Sequence, residues 1–248
     1  MGDILAETLE RAFWNAYARS YDNLARHHQP YKDLVNEVCD CVDRFAQGRS
    51  LRVLDAGCGT GNFSWELTRR GHQVKGFDSS AAMLKRAETK RLSQPEHPDF
   101  RQLDLSQPLP YADGDFDAAV SVSVLFALAD TRAALSNIRR TVRDGGLLVV
   151  TAVAERPAVS AVFREAVRRE GLLRGIRTLL PLASVGVFSW LIDRRLASRN
   201  TTYEEQDLRA DLAASGWLAK RLSRTYTDQS DLLAEALAEP RNAPPADT

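Results

Sequence analysis

The spacing of apolar and polar positions changes repeatedly between Leu51 and residue 153. Short runs rich in β-branched residues alternate with longer stretches in which apolar residues recur every three or four positions. This alternation is typical of parallel strands joined by crossover helices. The sequence therefore predicts an α/β fold, with strands near residues 51–55, 73–77, 99–103, 116–122 and 146–153.

Local signals mark the ends of the predicted helices. The helix after the first strand ends at Gly71, and the next helix begins beside Ser79 and Ser80, which are suited to an N-cap. The helix before the last of these strands is predicted to run on to the glycine pair at 145–146. Its basic residues would then lie near the negative end of the helix dipole: Arg139, Arg140 and Arg143.

Residues 1–47 are predicted to be helical and to form an N-terminal cap. Trp14, Tyr17 and Tyr21 fall on one face of this segment, at spacings of three and four. Such a stripe can anchor a helix to the core or face a ligand. The pattern leaves both interpretations open.

The region 155–200 interrupts the strand pattern with a long apolar, arginine-flanked helical stretch. Its uncharged part, residues 178–192, contains Pro181 and Gly186. It is shorter than the roughly 18 to 20 apolar residues that a membrane-spanning helix needs. We expect a lid over a ligand cavity or a surface that packs on a second copy as a homodimer, with a membrane-resting helix as the third alternative.

The chain is then predicted to return to the sheet with a final antiparallel pair. The tail is polar and rich in proline, so it is expected to be disordered. The predicted organisation is a helical cap at 1–47, a core at 48–154, an insertion at 155–200, a return to the core at 201–238 and a tail at 239–248.

Composition removes several classes of function. The 33 basic and 33 acidic side chains balance, which gives no reason to expect a nucleic acid or an anionic membrane as partner. Cys39, Cys41 and Cys58 show neither metal-ligand spacing nor a disulfide framework. The cysteine spacing therefore gives no reason to expect a metal. The first residues lack the basic start and the apolar run of an export signal, so a cytoplasmic protein is expected.

The stretch RVLDAGCGTGNF, residues 52–63, places three glycines in five positions directly after a strand. Glycines there remove Cβ atoms where a ligand touches the main chain. The dinucleotide fingerprint G-x-G-x-x-G requires a glycine where Asn62 stands. The Gly-Lys-Ser/Thr ending of a phosphate loop is missing as well. A less anionic ligand fits this loop better.

The segment VLDAGCGTG resembles the first motif of the class I S-adenosylmethionine-dependent methyltransferases, in their small-molecule branch. GFDSS, RQLDL, FDAAVSVSVLFAL and VRDGGLLVV follow where the later motifs of that family would lie, and the resemblance covers roughly residues 13–153. It implies a Rossmann-like three-layer sandwich whose sheet has seven strands, mostly parallel, with a terminal antiparallel strand. It also implies S-adenosylmethionine as cofactor and S-adenosylhomocysteine as product.

Two acidic residues at strand ends suit such a cofactor. Asp78 ends the second strand 21 positions after Gly57, where a carboxylate can accept hydrogen bonds from a ribose diol. Alternatively, Asp78 caps the next helix together with Ser79 and Ser80. Asp55 ends the first strand, and its buried charge would be paired by the ammonium and sulfonium groups of the cofactor.

The resemblance implies further contacts. Asp104 would accept a hydrogen bond from the adenine amino group beside the Leu105 main chain, and Met83 would pack on the ring. The Gly57 main chain and Ser121 would contact the methionine moiety, and an aromatic pair would close over the cofactor. The complete expected set is Tyr17, Tyr21, Asp55, Gly57, Gly59, Gly61, Asp78, Ser79, Met83, Asp104, Leu105 and Ser121.

The chain departs from the family after the fourth strand. Many relatives have one or two histidines there, whereas this sequence has Phe126 and Ala127. This predicts an apolar floor for the acceptor pocket, to which Phe126 and Trp190 are assigned. No general base is identified; the weak candidates for a catalytic role are His27, His28 and Tyr21.

The expected function is methyl transfer to a small, apolar or amphipathic metabolite, of the kind found in secondary metabolism, driven mainly by positioning and desolvation. Two alternatives stay open. The cofactor could promote a rearrangement or cyclisation without methylation, or the chain could be an inactive cofactor-binding partner subunit. Nucleic-acid methylation is not expected, because the sequence has no basic stripe and no Asn/Asp-Pro-Pro-Tyr run.

Overall fold

A single mixed sheet organises the protein. The computed structural model describes residues 28–90, 96–155, 168, 202–226 and 229–241. Within these residues the sheet has seven strands in the order β3-β2-β1-β4-β5-β7-β6. The strands are β1 (Arg52–Ala56), β2 (Gln73–Asp78), β3 (Asp99–Gln102), β4 (Phe116–Ser121), β5 (Val142–Val153), β6 (Trp217–Thr225) and β7 (Asp231–Ala238).

The first five strands are parallel, and β7 lies antiparallel between β5 and β6. The predicted fold class and the terminal antiparallel pair are therefore confirmed. The described α-helices are α1 (Gln29–Ala46), α2 (Asn62–Arg69), α3 (Ala81–Thr89), α4 (Thr131–Thr141) and α5 (Glu205–Ala214).

Helices cover both faces of the sheet and give it three layers. Successive residues of β1 point to opposite faces, so Val53 packs beneath α1 and α2 while Leu54 packs beneath α4 and α5. Both side chains are fully buried. Strands buried on both faces read as continuous apolar runs, which explains why the central strands were recognisable in the sequence.

The amino-terminal end of α1 lies beside the loop that follows β1. Pro30 occupies the first turn of the helix, where its missing N–H costs nothing. At the next residue, the Tyr31 hydroxyl accepts a hydrogen bond of 3.1 Å from the Asn62 side chain. Helix α1 is thereby attached to the edge at which β1, β2 and β4 end, which we call the carboxyl edge.

The predicted boundary between α4 and β5 was wrong. The helix ends at Thr141, and Val142 already pairs with Phe116 of β4. Arg143 consequently lies in the strand, where its Nε is 2.9 Å from Asp117 Oδ1. The Val142 N–H donates to the Ile138 and Arg139 carbonyls, and the Arg241 guanidinium donates to the Arg140 carbonyl, so no glycine cap is needed there.

Arg139 joins the end of α4 to the sheet. It is buried, and its guanidinium donates to the carbonyl oxygens of Val142, Gly216 and Glu239 as well as to the Asp144 carboxylate. The guanidinium also lies 5.8 Å from the centre of the Trp217 ring. One side chain therefore connects α4, β5 and the two ends of the β6–β7 hairpin.

The segment after β5 leaves and rejoins the sheet at one place. The N–H groups of Ala154 and Glu155 both donate to the Ser230 carbonyl at 2.9 Å, and the N–H of Tyr203 donates to the Val153 carbonyl at 2.7 Å. The predicted insertion at 155–200 falls outside the described residues, except for Glu155 and Arg168. Its roles as lid or dimer surface stay predictions, as does the division of the chain into domains.

Two expectations from composition can be compared with the described residues. Cys39, Cys41 and Cys58 are all free and buried. Among the described helices, none is both long enough and apolar enough to cross a bilayer.

Replacing Arg139 by Met should lower the free energy of unfolding by about 2–4 kcal/mol, because three carbonyls and a carboxylate lose a charged partner at a buried position. Urea denaturation measures the change. Arg132→Met is the matched control, since Arg132 forms an exposed pair with Asp211 and its loss should change the free energy of unfolding much less. Equal losses in the two variants would contradict the role given to Arg139.

Candidate active site

The glycine loop, residues 57–61, joins β1 to α2 at the carboxyl edge. The N–H groups of Gly57 and Cys58 both donate to the Phe77 carbonyl, at 2.9 and 2.8 Å. The N–H of Gly61 donates to the Cys58 carbonyl at 2.8 Å. These bonds attach the loop to the tip of β2 and fix its shape.

The three glycines of the loop have different surroundings, although all have positive φ. A Cβ on Gly57 would lie 2.4 Å from a methyl group of Val124, and one on Gly61 would lie 2.8 Å from the Phe100 ring. A Cβ on Gly59 would meet nothing within 4 Å. Gly57 and Gly61 thus permit close packing, whereas Gly59 exposes bare main chain to open space.

Asp78 faces this loop from the end of β2. Its Oδ2 accepts a hydrogen bond of 2.9 Å from the Gly59 N–H, and its Oδ1 accepts one of 2.8 Å from the Ser80 N–H. The N-cap of α3 is Ser80 itself, whose hydroxyl accepts from the Met83 N–H. Since a carboxylate has about four acceptor positions, Asp78 retains capacity for a ligand.

Asp55 lies buried at the end of β1. Its Oδ2 accepts a hydrogen bond of 2.5 Å from the Ser64 hydroxyl in the first turn of α2. Burial raises the pKa of Asp55 to about 7, against the lowering effect of Ser64, and the charge of Asp78 raises it further. Burial also raises the pKa of Asp78. Two carboxyl groups therefore share a poorly solvated region in which a cation would favour the ionised form of both.

The other expected cofactor residues lie around the same edge. The Ser121 hydroxyl donates to the Ala56 carbonyl at 3.1 Å and joins the tips of β4 and β1. Met83 is buried, while Ser79 is exposed. The Ser79 carbonyl accepts a hydrogen bond from Gln102 of β3.

Asp104 and Leu105 form the turn after β3. The Asp104 carboxylate is exposed and accepts a hydrogen bond of 2.8 Å from the Ser106 N–H. Leu105 is buried, and its carbonyl accepts from the Asn137 side chain. The adenine contacts expected for this pair stay predictions.

Phe126 lies in a single 3₁₀ turn, Leu125–Ala127, and is half-buried. Val124, just before this turn, is the residue that packs against Gly57. The segment that replaces the family's histidines is therefore adjacent to the glycine loop, and its assignment to the acceptor pocket stays a prediction.

Several predicted residues lie outside the described part of the chain: Tyr17, Tyr21, His27 and Trp190. His28 is described and is buried immediately before α1, with its ring edge-on to Tyr226 at 5.9 Å. This contact places His28 against the β6–β7 turn. Its catalytic role is untested.

Further residues in or beside the loop were not assigned to the site by the sequence analysis. They are Tyr31, Thr60, Asn62, Ser64 and Lys90. A polar residue in the first turn of a helix, as at Asn62 and Ser64, is a weak signal for such contacts. Lys90 follows a charged helix and gives no signal at all.

No group of three or more metal-ligating side chains occurs within the described ranges. The polar groups of the site are instead peptide N–H groups, hydroxyls and two carboxyls. Such a set suits an organic cation that also carries hydrogen-bond donors.

Residues 54–150 match the family model described as "Methyltransferase domain". This range includes the glycine loop, Asp78 and the strands β2 to β4. These residues are a methyltransferase domain of the class I, S-adenosylmethionine-dependent family. The family expected from the sequence is thereby confirmed, and S-adenosylmethionine is the cofactor of that family.

Curated relatives of the methyltransferase domain include two named O-methyltransferases. Malonyl-(acyl-carrier protein) O-methyltransferase of Erwinia pyrifoliae is 30% identical over 175 residues, which are 69% of this chain and 64% of that protein. Ubiquinone biosynthesis O-methyltransferase of Pseudomonas aeruginosa is 26% identical over 148 residues, which are 60% of this chain and 64% of that protein. The chain spans just under two thirds of the length of each relative.

Among solved structures, magnesium protoporphyrin IX methyltransferase of Synechocystis with bound S-adenosylmethionine has the same fold. The TM-score is 0.64 at 20% identity, and the match covers 94% of this chain and 96% of that one. At this identity the likeness establishes the architecture of the methyltransferase domain and nothing about its substrate.

The raised pKa of Asp55 predicts how the stability of the methyltransferase domain depends on pH. Because the folded state holds this proton more tightly than the unfolded chain, Asp55 contributes stability that is complete below about pH 4 and is lost as the pH rises through about 7. Burial raises the pKa of Asp231 to about 6, with the same sign. Because Asp231 is already largely ionised above its pKa of about 6, the loss of stability between about pH 6 and 7 reports mainly on Asp55.

Urea unfolding between pH 4.5 and 7.5 tests this prediction. Asp55→Asn should lose the part of the pH dependence that lies between pH 6 and 7, whereas the control Asp231→Asn should keep it. An Asp55→Asn profile parallel to that of the wild type over this interval would show that Asp55 has an ordinary pKa.

Proposed function

We propose that the chain transfers the methyl group of S-adenosylmethionine to an oxygen atom of a small metabolite that has an apolar part. One observation carries the proposal. The main chain at Gly59 is open, and its N–H donates to Asp78 at the end of β2. The buried carboxyl of Asp55 lies near the end of β1, the parallel strand beside β2. In open α/β sheets, ligands bind outside these tips where the strand order reverses, here between β1 and β4.

The residues present fit the cofactor. Asp78 is placed to bind the ribose hydroxyls, since its carboxylate already faces the loop and retains free acceptor positions. Gly59 offers space for the nucleoside to approach the main chain. Asp55 would hold the cationic end, and ligand binding would then lower the pKa of its carboxyl. A phosphorylated ribose would be repelled by the same two acids.

The bound cofactor supplies a methyl group on a positively charged sulfur, and its transfer leaves a neutral thioether. The chain has to align the acceptor with that methyl group and exclude water, and both effects can account for much of the acceleration. The half-buried Phe126 next to the glycine loop supports an acceptor site of low polarity. Residues 155–200 are proposed to cover this site.

The printed names of the two curated relatives support oxygen as the acceptor atom. A carboxylic acid or an acidic phenol requires little help to lose its proton near neutral pH. Such an acceptor is compatible with a chain that has Phe126 and Ala127 where many relatives have histidines. Positioning would then suffice, without a dedicated base.

Isothermal titration with S-adenosylhomocysteine tests cofactor binding without knowledge of the acceptor. Gly59→Ala should raise the dissociation constant at least about tenfold, because its Cβ would occupy the open space. Gly71→Ala is a matched control: Gly71 also has positive φ and open surroundings, but it follows α2 at the opposite edge of the sheet. Both variants should lose about 1–2 kcal/mol of stability from the positive φ, so only affinity separates them.

The chemistry is tested by the mass of products formed from carboxylic acid and phenol acceptors with labelled S-adenosylmethionine. A product carrying the labelled methyl on oxygen would support the proposal. A rearranged product of unchanged mass would show that the site uses its cofactor for different chemistry. Failure of the wild-type chain to bind S-adenosylhomocysteine would remove the basis of the proposal.

A further inference from the structure

Lys90 reaches back from the end of α3 to the glycine loop. Its Nζ donates to the Thr60 carbonyl at 2.7 Å and to Asn62 Oδ1 at 2.6 Å. Thr60 is completely buried. Its carbonyl belongs to the peptide unit whose N–H, that of Gly61, donates to the Cys58 carbonyl. The Thr60–Gly61 peptide unit is therefore hydrogen-bonded at both ends: its carbonyl accepts from the Lys90 ammonium group, and its N–H donates to the Cys58 carbonyl.

Asn62 extends this contact to a third helix. Its side-chain amide donates to the Tyr31 hydroxyl at 3.1 Å and to the Thr60 hydroxyl at 3.3 Å, while its oxygen accepts from Lys90. Lys90, Thr60, Asn62 and Tyr31 form what we call the loop brace. The brace connects α1, α2 and α3 to the loop at Thr60, whereas Asp78 binds the loop at Gly59.

Lys90 lies at the end of one helix and beside the start of another. It is the C-cap of α3, where the helix dipole favours a cation. Its ammonium group contacts Asn62, the first residue of α2, where the dipole of that helix disfavours one. Charge-assisted hydrogen bonds to Thr60 and Asn62 offset this repulsion, which means that the loop geometry and the lysine depend on each other.

We infer that Lys90 is a positioning residue for the cofactor: through the loop brace it holds the glycine loop in the shape that directs the Gly59 N–H to Asp78 and leaves the main chain open. The inference rests on the proposed cofactor site. It concerns a residue that contacts the loop at the Thr60 carbonyl and is not itself proposed to touch the cofactor. Lys90 acts on the ligand through Thr60 and Asn62, so its removal affects ligand affinity more than the stability of the fold.

The test compares Lys90→Met and Lys90→Arg with the wild-type chain. Lys90→Met removes the donor and the charge, and should raise the dissociation constant for S-adenosylhomocysteine about tenfold, the effect expected for one charged hydrogen bond. Lys90→Arg keeps a long cationic donor and should restore affinity to within about threefold of the wild type. Lys85→Met, on the exposed side of the same helix, should leave affinity unchanged.

Two further measurements separate positioning from a purely structural role. Thermal unfolding without ligand should give closely similar midpoints for the wild type, Lys90→Arg and Lys85→Met. The midpoint of Lys90→Met should be lower by only about 2–4 °C, because the buried Thr60 carbonyl loses its charged donor. The Gly59 amide resonance in a ¹H–¹⁵N spectrum should shift in Lys90→Met and return in Lys90→Arg, because this N–H reports the geometry of the loop.

The outcomes are distinct. Weak binding by Lys90→Met, with affinity recovered in Lys90→Arg and an unfolding midpoint of Lys90→Met lowered by no more than a few degrees, would support the inference. Wild-type affinity in Lys90→Met would overturn it, and so would a loss of affinity that follows a loss of thermal stability in both Lys90 variants. If the wild-type chain itself binds no S-adenosylhomocysteine, the proposed function fails first and this inference fails with it.

Discussion

The Phe77 carbonyl makes the interaction on which the whole site depends. It accepts hydrogen bonds from the N–H groups of Gly57 and Cys58, directly after the last paired residues of the two strands, Ala56 and Phe77. A turn anchored twice to one strand tip cannot slide along the edge of the sheet. The position of Gly59 beside Asp78 is therefore set by the β1–β2 register, and the cores on both faces of the sheet stabilise that register.

A second constraint is the imbalance of charge around the loop. Burial raises the pKa of both Asp55 and Asp78, and the charge of Asp78 makes Asp55 harder still to ionise. The hydrogen bonds that the two acids accept come from a neutral hydroxyl and from N–H groups. Lys90 contacts the loop through the Thr60 carbonyl and the Asn62 side-chain oxygen. A ligand that brings positive charge would relieve this repulsion, whereas an anionic nucleotide would increase it.

Much of the fold could be predicted because its signals are local. The central strands β1, β4 and β5 contain continuous buried runs, and Ser80 caps α3 as expected. The α4–β5 boundary was missed because Arg241, which caps the Arg140 carbonyl at the end of α4, lies 101 residues away in the chain. The acids of the site were found at strand ends. The loop brace was not, because Lys90 lies 30 residues from Thr60 and resembles any solvated lysine.

The attachment of the segment after β5 has a consequence for how proteins of this architecture diversify. Ser230 and Val153 hold its two ends within one short stretch of the sheet, away from the glycine loop on β1 and β2. Such an arrangement lets evolution lengthen, shorten or exchange this segment as a cassette while the glycine loop is inherited unchanged. If the segment covers the acceptor site, as proposed, a new acceptor requires no change in the loop that is proposed to bind the cofactor.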